Sequence, residues 1–352
     1  MRKVLVTGSC GLIGSEAVLH YDRLGRDVHG IDNNMRRDFF GDKGDTTWVR
    51  RQLSEQAPRY RHHEIDIRDR GALEELFRGE TFDLICHCAA QPSHDLSARR
   101  PMDDFDVNAV GTLNLLELTR RHCPEAVFIC MSTNKVYGDG PNRLRLVEGD
   151  TRYDFADAKY QLGISEKFPI DRCLHTPFGA SKVAADVMAQ EYGHYFGIRT
   201  VVFRGGCLTG PRHSGVELHG FLNYLVKATL EGIPYTVHGY KGKQVRDQIH
   251  SADVIAAFDA YAADPKPGAI YNLGGGRENS LSVLEAIQKV EAACRKKLNW
   301  TYSPRNRVGD HICYYSDLTR MRRELKGWDV RRSIDTIIAE IVKAQWDRLK
   351  RG

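Results

Sequence analysis

Short apolar runs and amphipathic segments alternate along the first two-thirds of the chain. The run KVLVTG (3–8) is β-branched and ends in glycine, and CGLIGSEAVLHYDRL (10–24) after it has apolar residues at helical spacing. Further strands are predicted at DVHGID (27–32), YRHHEIDI (60–67), FDLICHCAA (82–90), AVFICMS (126–132) and IRTVVFR (198–204). Helices are predicted at TTWVRRQLSEQ (46–56), RGALEELFRG (70–79), DVNAVGTLNLLELTRRH (106–122) and TPFGASKVAADVMAQEYGHYFG (176–197). This alternation predicts an α/β fold, a parallel sheet with helices on both faces.

After about residue 205 the alternation gives way to loops rich in Gly, Pro and Arg, mixed with helical segments such as LSVLEAIQKVEAAC (281–294). A chain of 352 residues is long for one hydrophobic core. We therefore predict a larger domain over residues 1–205 and a smaller C-terminal α/β lobe over residues 206–352. A strand or a helix of this lobe can return to the first domain.

Three glycines follow the first predicted strand and open the first helix: Gly8, Gly11 and Gly14. At such a turn the first glycine allows the bend, the second lets the backbone approach a pyrophosphate, and the third lets helix pack on strand. The helix begins at Leu12 and Ile13, and its unpaired N–H groups would face the phosphates. These features predict a Rossmann-type, doubly wound sheet with a dinucleotide site in the first domain.

The acid that ends the second strand, Asp32, indicates which dinucleotide binds. A carboxylate at this place bonds the ribose hydroxyls of NAD and repels the 2′-phosphate of NADP, so we predict NAD. Arg36 and Arg37 follow closely and could serve such a phosphate, which keeps NADP as the alternative. A turn acid without a ligand is the plain structural reading of Asp32.

Further cofactor contacts are predicted at strand ends and in one helix. The adenine is expected beside Asp66 and Ile67, whereas the nearby Asp69 could simply cap the next helix. The fourth strand ends in small residues, which either let the backbone approach the cofactor or merely pack tightly. The additional predicted contacts are Asn33, Asp66, Ile67, Ala89, Ala90, Gln91 and Asn108.

Composition narrows the class of protein. The 51 basic and 46 acidic residues give a formal charge of +5 without a strong basic stripe, so nucleic acid is not an expected partner. Nine Cys, an odd number, indicate reduced thiols and a cytoplasmic protein. The start MRKVLVTGSC is too short an apolar run for a secretion signal, and no stretch approaches a membrane span. His87 would point away from Cys86 and Cys88 on a strand, so we predict no metal site.

Seven motifs occur in the order typical of one family: TGSCGLIGS, HCAAQ, DVNAVGTLNLLE, STNKVYGD, TPFGASKVAAD, VVFRGGCLTGPR and KQVRDQIHSADV. By these motifs the chain resembles the extended short-chain dehydrogenase/reductase superfamily, in particular its sugar-nucleotide epimerases and dehydratases. The resemblance extends from the start to about residue 325. STNKVYGD, GDTRY (149–153), the insertion at 151–177 and KQVRD are typical of the branch of CDP-paratose (CDP-tyvelose) 2-epimerases. The resemblance implies tightly held NAD, recycled within one turnover.

In this family a Ser or Thr, a Tyr and a Lys act together, and the motifs map them to Thr133, Phe178 and Lys182. When hydride leaves a sugar carbon, the proton of its hydroxyl must leave too. A Tyr phenolate takes that proton when a Lys one helical turn away lowers the pKa of the phenol. The resemblance implies that Lys182 also bonds the nicotinamide ribose and that Thr133 orients the reacting hydroxyl.

Phe178 departs from this pattern because it keeps the ring and lacks the oxygen. General-base catalysis typically contributes about 10²–10⁴ in rate, so the usual route should be slow or absent. Three explanations stay open: an engineered change, a natural change with another base, or a protein that only binds. The candidate bases, which the sequence does not rank, are Lys135, Tyr137, Glu166, His175 and Asp186.

The residues after Thr133 indicate the reaction. Family 4,6-dehydratases carry an acidic pair there, whereas this chain has Asn134 and Lys135, so the resemblance disfavours dehydration. It favours epimerisation at C2 through a transient keto-sugar, with a 4-epimerase as the nearest alternative. A non-catalytic binder of NAD and a sugar nucleotide is the alternative from another class. Thr133, Asn134 and Lys135 are also predicted to contact the substrate.

A nucleotide-diphosphate sugar brings two phosphates, for which Arg is the favoured ligand. Arg246 and Arg307 lie where the family places diphosphate ligands, and Asp310 meets a ribose hydroxyl or holds Arg307. Arg204 and Arg212 flank the loop after the sixth strand, at the edge where such sheets bind ligands. For each Arg an ion pair on the surface is the alternative. The base pocket is not readable, so CDP, UDP, GDP and dTDP stay open.

The resemblance also implies a homodimer, because family members usually pair through two long helices. In this chain those helices are DVNAVGTLNLLELTRRH (106–122) and KVAADVMAQEYGHYF (182–196). Their apolar faces are too extensive for burial on one side only, which agrees with a homodimer. A monomer that uses the same faces against its own sheet is the alternative.

Overall fold

The computed structural model describes residues 2–213, 215 and 220–350. Within these residues, strands and helices alternate in the first half and are more mixed in the second. The strands are β1 (Lys3–Thr7), β2 (Asp27–Ile31), β3 (Tyr60–His63), β4 (Leu84–His87), β5 (Val127–Thr133), β6 (Leu146–Glu148), β7 (Tyr153–Phe155), β8 (Arg199–Gly205), β9 (Cys207–Thr209), β10 (Tyr235–His238), β11 (Val245–His250), β12 (Ala269–Leu273), β13 (Ser280–Ser282), β14 (Trp300–Ser303) and β15 (Cys313–Tyr314).

The helices follow the predicted positions closely in the first half of the chain. They are α1 (Leu12–Arg23), α2 (Met35–Phe40), α3 (Thr47–Gln56), α4 (Arg70–Gly79), α5 (His94–Ser97), α6 (Pro101–Phe105), α7 (Gly111–His122), α8 (Thr176–Phe196), α9 (Phe221–Glu231), α10 (Ser251–Ala263), α11 (Val283–Cys294), α12 (Thr319–Glu324) and α13 (Ile334–Leu349). A π-helical turn, Asp106–Val110, joins α6 to α7. None of the described helices combines the length and the apolar composition that a membrane crossing requires.

Seven parallel strands form the main sheet in the order β12-β8-β5-β4-β1-β2-β3. The chain runs outward from β1 to β3 on one side and from β4 on the other, so the strand order reverses between β1 and β4. This arrangement confirms the predicted doubly wound α/β fold. Ligands bind such sheets at the carboxyl ends of the strands beside the reversal.

Two details of the main sheet differ from the sequence prediction. β3 is shorter than predicted because β2 ends at Ile31, opposite His63, and residues 64–67 have no strand beside them. The seventh strand, β12, was not predicted as a strand. It pairs with β8 and so joins the second half of the chain to the first sheet.

Helices cover both faces of the main sheet, which is why strands such as β1 (KVLVT) and β5 (VFICMST) are mostly apolar and buried. Val4 and Val6 of β1 point into one core, where they meet α1, α3 and α10. Leu5 between them points into the other core, with α4, α7 and α8. The alternation along β1 follows from the two-residue period of a strand.

The second half of the chain adds a smaller α/β layer. β11 pairs with β9 and β15 in parallel and with β13 in antiparallel orientation, while β10 and β14 form a separate parallel pair. α9, α11 and α13 pack around a third core that includes Leu225, Ile287 and Ile338. α10 packs instead on α1, a helix of the main sheet's layer. The boundary at residue 205 stays a prediction.

Candidate active site

A cleft of about 550 Å³ lies at the carboxyl ends of the central strands of the main sheet. The turn after β1 and the ends of β2, β4, β5 and β8 form one wall. β10, β11 and the loop 304–310 contribute the facing residues. The cleft therefore lies between the large sheet and the smaller layer, where the strand reversal predicts a ligand.

The glycine turn forms one end of the cleft. Gly8 has φ +66°, and a Cβ there would lie 2.8 Å from the backbone after β4. A Cβ at Gly14 would collide with the carbonyl group of Gly8. Gly11 precedes α1, and Leu12 and Ile13 line the cleft in the first helical turn. The first N–H groups of a helix have no partner within it, so this turn suits a bound diphosphate.

Asp32 lies directly after β2 and also lines the cleft. Its carboxylate accepts hydrogen bonds from the backbone N–H groups of Cys10 (2.9 Å) and Asn34 (2.8 Å). Burial raises the pKa of Asp32, and the two backbone hydrogen bonds act in the opposite direction. A fixed carboxylate beside a turn that only glycine can form fits the ribose and diphosphate of a dinucleotide.

The predicted adenine-side residues lie together beyond Asp32. Asn33, Asp66 and Ile67 all line the cleft, and the side-chain amide of Asn33 donates to Asp66 at 3.1 Å. Asp69 caps α4 by accepting from the N–H of Ala72 at 3.0 Å, as its alternative interpretation anticipated. Ala89 and Ala90, after β4, form part of the same wall.

Gln91 and Asn108 do not line the cleft and instead lie in a buried network behind it. The side-chain amide of Gln91 donates to Asp104 at 2.6 Å, and its backbone N–H donates to Asn108 at 2.9 Å. Asn108 in turn donates to the hydroxyl of Ser181 on α8 at 3.1 Å. These two residues therefore hold the loop after β4 against α8, which differs from the predicted contact with the cofactor.

The three residues mapped from the family motif come together at the middle of the cleft. Thr133 ends β5, and its hydroxyl oxygen accepts the backbone N–H of Lys135 at 3.2 Å. Phe178 and Lys182 lie one turn apart on the buried face of α8, and all three side chains line the cleft. The amine of Lys182 donates to the backbone carbonyl of Met131 at 2.8 Å.

Asn134 and Lys135 continue the wall from Thr133. The amine of Lys135 donates to the carbonyl of Gly309 at 2.7 Å and lies 3.8 Å from a carboxylate oxygen of Asp310. Lys135 therefore reaches across to the loop 304–310. Burial lowers the pKa of Lys135 to about 8, with Asp310 acting against the shift and nearby arginines adding to it.

Two arginines line the cleft near Lys135. Arg246 projects from β11, and its guanidinium lies 3.6 Å from the carboxylate of Asp310. Arg307 forms an ion pair with Asp95 on α5. Asp310 lies beside Arg246 and Lys135. Burial lowers the pKa of Arg307, and the charges of Asp310 and Asp95 more than offset this effect, so Asp310 also interacts with Arg307, the residue that it was predicted to hold. The predicted residues at this end are thus together on the cleft wall.

The other two arginines that were predicted to contact the substrate, Arg204 and Arg212, differ in position. Arg212 lines the cleft and pairs with Glu16 at 2.9 Å. Arg204 does not line the cleft, because its guanidinium turns inward and binds Asp186 at 2.9 Å. The predicted substrate contact of Arg204 is replaced by a buried ion pair, since the side chain leaves β8 on the face that α8 covers.

The structure also ranks the five candidate bases. His175 bonds a backbone carbonyl at 2.8 Å, and the Tyr137 hydroxyl donates to a buried Asn at 2.7 Å. Glu166 accepts a backbone N–H at 2.8 Å, and Asp186 is paired with Arg204. None of these four is on the cleft wall, whereas Lys135 is.

Several residues of the cleft wall were missed in the sequence. Gln244, Arg246 and Gln248 line it together, and the two-residue period of β11 could have identified the glutamines once Arg246 was chosen. Nothing in the sequence distinguishes the β10 residues, Tyr224 of α9 or the thiols. The further residues in question are Cys10, Cys88, Cys207, Tyr224, Tyr235 and His238.

The side chain of His87 is buried between two hydroxyl groups, with Thr7 at 2.8 Å and Thr112 at 2.9 Å. Within the described residues, no group of three or more His, Cys, Asp or Glu could hold a metal ion. All nine Cys are free thiols.

Comparison with known proteins gives a family and several full-length relatives. The family described as "NAD dependent epimerase/dehydratase family" matches residues 4–274. CDP-paratose 2-epimerase from Salmonella typhi is 32% identical over 326 residues, covering 91% of this chain and 92% of that protein. dTDP-glucose 4,6-dehydratase from Neisseria meningitidis serogroup B is 29% identical, covering 95% of this chain and 86% of that protein.

Among solved structures, UDP-glucose 4-epimerase from Thermus thermophilus, in complex with NAD, superposes with a TM-score of 0.77. It is 27% identical, and the match covers 98% of this chain and 99% of that one. The similarity therefore includes both the main sheet and the smaller layer.

Proposed function

The chain belongs to the NAD dependent epimerase/dehydratase family, and from that premise we propose that it inverts C2 of a CDP-linked sugar through a transient keto-sugar. Its cofactor is NAD. The observation that carries the proposal is that one continuous cleft contains most of the predicted cofactor residues, the motif residues and most of the predicted substrate residues. The glycine turn and Asp32 lie at one end, Arg246 and Arg307 lie at the other, and the motif residues share the wall.

The residues at the first end would hold NAD. The glycine turn leaves room for the diphosphate, and the first turn of α1 offers it N–H donors. Asp32 would accept hydrogen bonds from ribose hydroxyls, and its two backbone donors keep its oxygens in place. When bound, NAD accepts a hydride from the sugar carbon and later returns it.

Thr133 and Lys182 would act on the reacting hydroxyl. The Thr133 hydroxyl can donate or accept a hydrogen bond, so it can orient the sugar oxygen in both the alcohol and the ketone state. Lys182 brings a charge into a buried wall, where electrostatic interactions are stronger than in water. That charge favours an oxygen that is losing its proton.

The arginine end supports a nucleotide-diphosphate sugar as substrate. Arg246 and Arg307 present planar donor groups that match phosphate oxygens. CDP is proposed because the 32% identical relative from Salmonella typhi is named for a CDP-sugar and for C2. A UDP-sugar 4-epimerase is the second candidate, and the similarity to the Thermus thermophilus enzyme favours it.

Dehydration and mere binding are weaker candidates. Asn134 and Lys135 stand on the cleft wall where an acidic pair would be needed for water loss. A protein that only binds NAD and a sugar nucleotide would not need both Thr133 and Lys182 on the same cleft wall as the glycine turn.

The same proposal includes a cytoplasmic homodimer. Nine free thiols agree with a reducing compartment. α8 presents Ala180 and Val187 exposed, with Ala184 and Met188 half-buried beside them, all within one stripe. Such an apolar stripe on a long helix suits pairing with a second copy of the chain.

The test is conversion of CDP-paratose to CDP-tyvelose by NAD-loaded protein, followed by NMR, with UDP-glucose and dTDP-glucose as parallel substrates. Phe178→Tyr is assayed alongside, so that the missing phenol cannot conceal the activity. Inversion of CDP-paratose by either protein supports the proposal. Conversion of UDP-glucose to its C4 epimer alone would establish the second candidate. Binding of NAD and CDP-paratose without any conversion by either protein would identify a binder.

A further inference from the structure

We propose that Lys135 is the acid–base catalyst of this chain, in place of the tyrosine that the family uses where Phe178 stands. This inference rests on the function proposed above. The motif comparison alone leaves the reaction without a group that exchanges the hydroxyl proton. The cleft wall supplies a titratable group two residues after Thr133, the amine of Lys135.

Lys135 belongs to the same piece of wall as the motif residues. It lies in the 3-10 turn Asn134–Tyr137, which directly follows β5 and Thr133. Its backbone N–H donates to the Thr133 hydroxyl oxygen, and a Cβ placed on Gly179 would lie 3.0 Å from its carbonyl oxygen. Gly179 follows Phe178 on α8, so the backbone of Lys135 packs against the turn of α8 that carries Phe178.

The amine of Lys135 is incompletely neutralised. Its side chain is 16% exposed, its nearest partner is the neutral carbonyl of Gly309, and the nearest carboxylate, Asp310, is 3.8 Å away. Asp310 also lies 3.6 Å from the guanidinium of Arg246. One carboxylate thus serves two cations in a buried place, which disfavours the charged amine.

The groups around Lys135 differ in their effect on its pKa. Burial gives the largest effect, and Arg246 and Arg307 add repulsion that Asp310 only partly offsets, so the pKa of Lys135 falls to about 8. Burial raises the pKa of the Cys207 thiol to about 11, and burial lowers the pKa of His311 well below its ordinary value. Near neutral pH both groups are uncharged, and a useful fraction of Lys135 is a free amine.

The proposed step conserves atoms and charge. In the oxidation direction the sugar O–H bond breaks, and its proton forms an N–H bond with the neutral amine of Lys135. The carbon–oxygen bond becomes a carbonyl while the C–H electron pair leaves as hydride to NAD⁺. The resulting ammonium group returns the proton to the oxygen when hydride adds to the opposite face. Lys135 ends the cycle as a neutral amine.

The discriminating variant is Lys135→Arg, which keeps a positive charge for binding but does not release a proton near neutral pH. We compare four NAD-loaded proteins: the present chain, Lys135→Arg, Phe178→Tyr and the double variant. Lys135→Arg should lower kcat for CDP-paratose by about 100-fold or more. Its affinity for CDP-paratose, measured by calorimetry, should stay the same. The double variant should recover turnover, because the phenol replaces the amine. Lys241→Arg, an exposed lysine paired with Glu148, is the matched control and should leave turnover unchanged.

Two readouts separate catalysis from a structural role. The rate of the oxidation half-reaction should rise with pH through about 8 in the present chain, because the free amine is the active form, and this limb should disappear in Lys135→Arg. The ¹³Cε resonance of Lys135 in the NAD complex, assigned by its loss in Lys135→Arg, should titrate near the same pH. This second readout does not depend on turnover.

The inference is overturned if Lys135→Arg keeps the turnover of the present chain, or if the resonance titrates at the pH of an ordinary lysine. It is also overturned if the present chain is inert and Phe178→Tyr is active, a result that leaves the proposed function standing. Failure of all four proteins to convert any tested sugar would reject the proposed function together with this inference.

Discussion

Arg204 and Asp186 form a buried ion pair with two hydrogen bonds, of 3.0 and 2.9 Å. Their side chains are 3% and 0% exposed. The hydroxyl of Ser132 donates to the same carboxylate at 2.7 Å. The pair therefore joins β8, α8 and the end of β5, and it holds the wall behind Thr133 without touching the cleft.

Asp186→Ala should lower the free energy of unfolding by about 3–5 kcal/mol, because it leaves the Arg204 guanidinium buried without its partner. Urea denaturation measures this change. Glu125→Ala removes the surface partner of Arg199 and is the control, with an expected loss of at most about 1 kcal/mol. Equal losses in the two variants would contradict a special role for the buried pair.

Gly14→Ala should weaken NAD binding by about tenfold or more, equivalent to about 1.4 kcal/mol. The added methyl group would collide with the carbonyl of Gly8 and move the turn away from the diphosphate. Fluorescence titration of NAD measures the effect. Gly79→Ala, in the last turn of α4 where a Cβ meets no atom within 4 Å, is the control and should bind NAD normally. Normal binding by Gly14→Ala would show that the turn tolerates a side chain.

The sequence predicted the main sheet well because five of its strands, β1, β2, β4, β5 and β8, are buried runs bounded by turn residues. It failed at β12 because AIYNL is short and lies among loops and helices of the second half. That strand is specified by its pairing with β8, a contact between residues almost seventy positions apart. Local pattern carries no information on such a contact.

The candidate site was predictable to the extent that its residues stand at strand ends. Gly8, Asp32 and Thr133 each end or follow a strand and do line the cleft. Gln91 and Arg204 also lie near strand ends, but their side chains turn into buried polar networks. Which way a side chain turns depends on partners distant in sequence, such as Asp104 and Asp186, and the sequence does not show these.

His87→Gln should make stability less sensitive to acid. Burial lowers the pKa of His87 to about 3 from an ordinary value of 6.5, so the unfolded chain takes up the proton first. The folded protein therefore loses stability as pH falls below about 6.5, and the loss continues towards pH 3. Between pH 7 and 5 this one residue should contribute about 2 kcal/mol to the decline.

Urea denaturation at pH 8, 7 and 5 tests this contribution. Between pH 8 and 7 the free energies of unfolding of the present chain and of His87→Gln should change in parallel, because His87 is neutral in both the folded and the unfolded state. The decline from pH 7 to 5 should be smaller in His87→Gln. Parallel behaviour down to pH 5 would mean that His87 accepts a proton within the folded protein.

Val187→Asp should dissociate the proposed homodimer. Val187 is 38% exposed at the middle of the apolar stripe on α8, where a second copy would bury it. Burying an unpaired carboxylate costs several kcal/mol, so the dissociation constant should rise by about 100-fold or more. Sedimentation velocity measures the change. Leu162→Asp is the matched control, because Leu162 is 65% exposed in a loop outside these helices and should leave the assembly unchanged. A monomeric starting protein, or equal dissociation by both variants, would contradict pairing through this stripe.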